Sequence, residues 1–250
     1  MSDTTTIHPC CLKTFQWAGT PSGTIGKLAN NQCYIAGSNT KRSILYIHDL
    51  LSWNFVNARL LCDHFARECD ATVYMPDFFG GETWPEEAII YSQWEKVDLE
   101  GFAKKNSRAI REPEIFECAR ALRGQYETVG AIGYCFGGWA VFRLGAKEHD
   151  PPLVDAISTG HPTWLTKEII DGIAVPVQIL APEIDPPFSP ELKQYAFETI
   201  MKKGVMFDYQ HFPGVEHACF TRGRMDIEGE RDAFEHGKAA AVAWFGRFLD

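Results

Sequence analysis

A thiol stands between spaced glycines in Gly133-Tyr134-Cys135-Phe136-Gly137-Gly138, directly after an apolar run at 129–133 and before a helical pattern at 137–147. This is G-x-C-x-G, the pattern of a nucleophile elbow with cysteine in the serine position. The elbow residue takes strained backbone angles, and glycines two residues to either side keep Cβ atoms out of the crossing strand and helix. The N-terminus of the helix that follows favours a thiolate and a developing oxyanion. Such a nucleophile needs an acid and a base later in the chain, in the order nucleophile, acid, histidine. Asp185 and His217 meet that order. His217 would exchange the proton, and Asp185 would hold its imidazole in the useful tautomer. Glu183 is a competing acid close to the same strand end. The oxyanion donors expected are two backbone N–H groups, that of Phe136 and that of Leu50.

These groups need a scaffold that presents them at one edge. Short apolar runs at 43–48, 72–75, 129–133, 153–158, 175–180 and 205–212 alternate with helical periodicity at 55–69, 110–122, 137–147, 164–171, 190–203 and 231–249. That alternation predicts parallel β-α-β units, a mostly parallel central sheet with helices on both faces. Segments 24–28 and 32–36 predict an antiparallel hairpin before it. In such sheets reactive groups sit just past the carboxyl ends of the strands. The residues that follow the runs are Asp49 and Leu50, Asp77, Cys135, His161, Glu183 with Asp185, and His217. Residues 1–22 read as an irregular lead-in. The stretch 78–107 is long for a connection and reads as a lid. The expectation is one domain over 1–250.

Charge and composition narrow the partners. The chain has 250 residues, 33 acidic and 24 basic, for a net charge of −9. With no basic run, a nucleic-acid partner is not expected. No stretch of about 18 apolar residues is present, so no membrane span is expected. The eight cysteines are scattered rather than arranged as a small secreted framework. Together with a polar N-terminus, they predict a reduced, cytoplasmic protein acting on a small molecule as a monomer or homodimer. Only Cys10 and Cys11 are close in sequence, and no C-x-x-C occurs, so neither a metal nor an organic cofactor is expected.

With these residues in place, the chain resembles the dienelactone hydrolase (carboxymethylenebutenolidase) family of the α/β-hydrolase fold. The likeness runs from about Gly23 to the C-terminus. Its markers are Ile47-His48-Asp49-Leu50, Met75-Pro76-Asp77-Phe78-Phe79, the cysteine elbow, Asp185, and His217 followed by Phe220 and Arg222. The lead-in, with Cys10-Cys11 and Gly19-Thr20-Pro21-Ser22-Gly23, is similar to the fungal branch. The resemblance implies a Cys135–Asp185–His217 triad and hydrolysis of an ester or lactone through an acyl-cysteine. It also implies a thiol-activating glutamate after the first core strand, where this chain has the shorter Asp49. An arginine that binds a substrate carboxylate is replaced by Gly80-Gly81, which leaves Arg222 as the carboxylate candidate.

Further pocket candidates are Trp53, Trp84 and His161. Two other readings share the same residues. One is C–C cleavage, lactonisation or isomerisation of a polyketide-like metabolite at the same site. The other is a non-catalytic binding homologue, motivated by Asp49 and the missing arginine.

Overall fold

The alternating pattern becomes, in the computed structural model, an eight-stranded sheet; the structure describes residues 6–85, 88 and 91–249. Strands β1 (Thr24–Leu28), β2 (Asn31–Ala36), β3 (Arg42–Ile47), β4 (Thr72–Pro76), β5 (Thr128–Tyr134), β6 (Ala156–Gly160), β7 (Val177–Ile184) and β8 (Phe207–Glu216) lie in the order β1-β2-β4-β3-β5-β6-β7-β8. The β1–β2 and β2–β4 pairs are antiparallel, and every later pair is parallel. Register aligns the carboxyl ends: Ile47 lies opposite Gly133, Gly133 opposite Thr159, and Thr159 opposite Ile179. The loops after β3, β5, β6 and β7 therefore emerge along one edge. This is the α/β-hydrolase architecture.

Period-two alternation sends strand side chains to two cores. Leu45 and Ile47 of β3 and Val129 and Ala131 of β5 face one side, with α3 (Arg108–Arg123), α4 (Gly137–Leu144), α5 (Lys167–Gly172) and α6 (Pro190–Met201). Ile44, Tyr46, Ile132 and Tyr134 face the other, with α1 (Val56–Glu68) and the last helix α7 (Glu228–Phe248). Between α1 and α3 lies α2 (Leu99–Lys105), started by Asp98, whose carboxylate accepts from Gly101 N at 2.8 Å.

Several boundaries differ from expectation for physical reasons. The elbow helix α4 ends at Leu144, not 147, because Gly145 caps it and Ala146 bridges to Ile173. Strands β7 and β8 run past Leu180 and Phe212, where the apolar runs end, and include Pro182 and Pro213. An irregularity between Pro182 and Ile184 absorbs the misfit, and pairing resumes at Ile184–Glu216. The 78–107 stretch falls partly outside the described residues, at 86–87 and 89–90. Its described part is anchored: Trp84 meets Trp94 edge-on at 5.3 Å and lies 4.2 Å from Phe102, centroid to centroid. The lead-in, described from Thr6 onward, contains a 3-10 turn at Pro9–Leu12, and Cys11 in it is buried.

Candidate active site

The elbow glycines have a visible steric reason. A Cβ at Gly133 would collide with the carbonyl of Gly137, and one at Gly137 with the carbonyl of Ile47. Cys135 between them has φ +50°, a left-handed conformation that a non-glycine residue adopts only where its surroundings hold it. The clamps are hydrogen bonds from Cys135 N to Gly160 O (3.2 Å) and from Thr163 N to Cys135 O (2.9 Å). The thiol is thereby fixed at the N-terminus of α4.

Strands β7 and β8 bring the other two groups to the same place. His217 Nδ1 and Asp185 Oδ1 are 2.8 Å apart, and both side chains are wholly buried. Asp185 Oδ1 also accepts from Phe188 N, so the carboxylate is held from its own loop. Glu183 points elsewhere, accepting from Gly214 N at the surface. Burial opposes charge on His217, but the neighbouring Cys135 thiolate and the Asp185 carboxylate more than offset it and raise the imidazole to about 10. Burial likewise opposes a thiolate at Cys135. The Cys11 thiol, the His217 charge and Arg222 overcome it and bring Cys135 well below the ordinary thiol value. Both shifts favour a thiolate beside an imidazolium.

Among the described residues, neither Leu50 N nor Phe136 N donates to a protein acceptor. Trp84 Nε1 donates to Leu50 O and fixes that peptide from its carbonyl side. Both amides are thus unspent donors near the elbow, as an oxyanion site requires.

Other sequence candidates lie differently. Asp49 accepts from Leu51 N (2.8 Å) and Thr221 Oγ1 (2.9 Å), and its Oδ2 lies 3.1 Å from Arg222 Nε. Arg222 also donates to the carbonyls of Cys11 and Lys13. Asp49, expected at the thiol, and Arg222, expected at a substrate carboxylate, form an ion pair in the interior. Among the described residues Arg222 Nη2 has no hydrogen-bond partner, the side chain lines the cavity beside His217, and the arginine ties the lead-in to the loop after β8. Trp53 is not in the pocket; it packs on Arg59, whose guanidinium lies 5.0 Å from its ring centre. Trp84 braces Leu50 from behind rather than lining the cavity. His161 lies behind His217, ring centres 4.7 Å apart, stacked on Phe220, with neither ring nitrogen bonded. Burial, then the His217 and Arg222 charges, push its pKa well below the usual histidine value, so it stays neutral.

The cavity over Cys135 and Phe136 is lined also by Thr6, Ile7, Cys11, Leu50, Phe102, Thr163 and Trp164, and holds about 20 Å³. A larger cavity of about 350 Å³ opens beside His217, between the lead-in and the loop after β8. Sequence reasoning missed Trp164 as a lining residue. It also missed Cys11, whose Sγ lies 3.5 Å from His217 Nε2 across 206 residues of chain. No local signal carries a contact of that range.

A family model described as the dienelactone hydrolase family matches residues 32–249. The chain belongs to the dienelactone hydrolase family. It is 27% identical over 248 residues to Hydrolase tropI of Talaromyces stipitatus, covering 96% of each chain. It is 24% identical over 250 residues to Dienlactone hydrolase 1 of Gibberella moniliformis, covering 96% of this chain and 93% of that one. Among solved structures, a candidate dienelactone hydrolase from Klebsiella pneumoniae superposes with a TM-score of 0.71 at 15% identity. It covers 91% of this chain and 100% of that one. This member of the dienelactone hydrolase family is thus a hydrolase. Among its described residues no helix is long and apolar enough to cross a membrane.

Proposed function

We propose that the protein hydrolyses the ester or lactone bond of a small molecule through an acyl-cysteine at Cys135. The observation that carries this reading is the buried Asp185–His217 pair, 2.8 Å apart, set against a thiol fixed at φ +50° before a helix N-terminus.

The chemistry follows from the protonation state. The Cys135 thiolate attacks the carbonyl carbon, and the oxygen takes the charge under the N–H groups of Leu50 and Phe136. The carbon–oxygen bond breaks, and the leaving alkoxide or enolate takes the proton from the His217 imidazolium. A water then gives a proton to His217 and attacks the thioester. The carbon–sulfur bond breaks, the acid leaves, and thiolate and imidazolium are restored. Asp185 keeps His217 Nε2 facing the reacting atoms throughout. The cavity over Cys135 has room for about one water at most. A substrate carbonyl therefore enters only when the lead-in at 6–12 shifts outward.

Intact-mass spectrometry under a short pulse of an activated ester tests the reading. One acyl adduct is expected, mapped to the Cys135 peptide and absent from Cys135→Ala. Undiminished turnover by folded Cys135→Ala overturns it.

A further inference from the structure

The lead-in brings two thiols to a histidine that already faces a third. Cys10 Sγ, Cys11 Sγ and His217 Nε2 all lie within 4.8 Å of one another. Cys11 and Cys135 line one cavity. Hydrolysis uses Cys135 and His217 and assigns nothing to Cys10 or Cys11.

We propose that Cys10, Cys11 and His217 form a site for a thiophilic divalent cation of the zinc class, and that its occupancy blocks hydrolysis. The geometry fits. Zinc takes thiolate sulfur at about 2.3 Å and imidazole nitrogen at about 2.05 Å, so a tetrahedral angle sets sulfur and nitrogen about 3.6 Å apart. Cys11 Sγ and His217 Nε2 are 3.5 Å apart. Two thiolates and one imidazole supply three positions of a tetrahedral zinc and leave the fourth to an outside ligand, and their softness disfavours calcium and magnesium. The supporting shell is present too. Metal-bound histidine usually donates its other N–H to a carboxylate, as His217 Nδ1 does to Asp185 at 2.8 Å. No local spacing in the sequence signals such a set, because its donors are gathered from both ends of the chain.

The cation would act in two ways. It would occupy the lone pair of His217 Nε2, leaving the reaction without its acid and base. It would also fasten the lead-in across the cavity that a substrate must enter. The block of hydrolysis rests on the reading of His217 as the acid and base; the cation site rests on the donor geometry alone.

The test uses the whole chain, reduced and freed of metal by a chelator, with Co²⁺ as the probe and then Zn²⁺. One equivalent of Co²⁺ should give thiolate-to-cobalt charge transfer and the intense visible bands of tetrahedral coordination. Zn²⁺ should bleach them, ester hydrolysis should fall with occupancy, and a chelator should restore it. Cys10→Ala should keep the metal-free turnover and bind Zn²⁺ about tenfold more weakly or worse. Cys11→Ala, checked for folding by circular dichroism, should lose the tetrahedral spectrum. Absence of the spectrum in the reduced wild-type chain overturns the site. So does a weak six-coordinate spectrum, or one unchanged in both variants. Tetrahedral binding with hydrolysis untouched overturns the block. A metal-free protein that turns over no ester refutes the hydrolytic reading instead, and the cobalt spectrum still decides the site.

Discussion

Asp49→Ala separates a carboxylate that activates the thiol from one that holds the interior together. Asp49 is 2% exposed and Arg222 4%, and the carboxylate answers three groups: Leu51 N, Thr221 Oγ1 and Arg222 Nε. Removing it leaves a buried guanidinium with only the carbonyls of Cys11 and Lys13 as acceptors. Breaking one side of a buried pair costs about 3–5 kcal/mol. For a chain of 250 residues each kcal/mol lowers the melting temperature by roughly 2–4 °C. The expected fall is therefore about 6–20 °C by calorimetry or circular dichroism. Because an apolar pair of similar volume is often as stable as a buried ion pair, Asp49→Leu with Arg222→Met should recover much of that loss. Asp49→Glu should also destabilise, since the extra methylene enters a filled site. Burst kinetics with an activated ester, read below the transition, should give an unchanged acylation rate per folded Asp49→Ala molecule. A melting temperature unmoved by Asp49→Ala, together with a slowed burst, would refute the reasoning and return the carboxylate to the thiol.

Three further outcomes are expected. Asp185→Asn should fold and lose a factor on the order of 10²–10⁴ in turnover, measured under saturating ester, because the amide no longer fixes the His217 tautomer. The Cys135–His217 pair should make a signed contribution to stability across pH. His217, raised to about 10, stabilises fully below its unfolded value of 6.5 and loses that as pH climbs through about 10. Cys135, lowered, stabilises above its unfolded value of 9.0 and loses that as pH falls through its folded value. Below 9.0, and above both 6.5 and the folded thiol's value, folded and unfolded pairs each hold one proton, so the pair's share is flat there, declining towards acid and again above 9.0. Denaturant titrations of wild type minus Cys135→Ala check this, and the His217 imidazole of the variant should titrate well below about 10 by NMR. Gly137→Ala should lose about 1–3 kcal/mol in urea unfolding, as overpacking does, because its Cβ meets the Ile47 carbonyl.

The sequence by itself determined what local chemistry dictates. Glycine spacing around Cys135 specified an elbow because sterics of strand, turn and helix act within a few residues. Alternating apolar runs specified a parallel sheet because burial on both faces demands them. The chain order of Cys135, Asp185 and His217 then pointed to one edge, since a parallel sheet delivers every strand's end to the same side. Short range was also the limit of this reasoning. It placed Asp49 towards the thiol and Arg222 towards a substrate carboxylate, because nothing in either neighbourhood says that the other lies 3.1 Å away. It sent Trp53 and Trp84 to the pocket on proximity to loops, while packing turned one onto Arg59 and the other behind Leu50. It read β8 as stopping before Pro213, because the pairing that carries the strand to Glu216, and so delivers His217, is made with another strand. Only the tertiary structure decided which buried charges neutralise each other, and only it laid Cys10 and Cys11 against His217. Those choices depend on dehydrating groups far apart in the chain at a common point, and their energy exists only once the sheet has assembled.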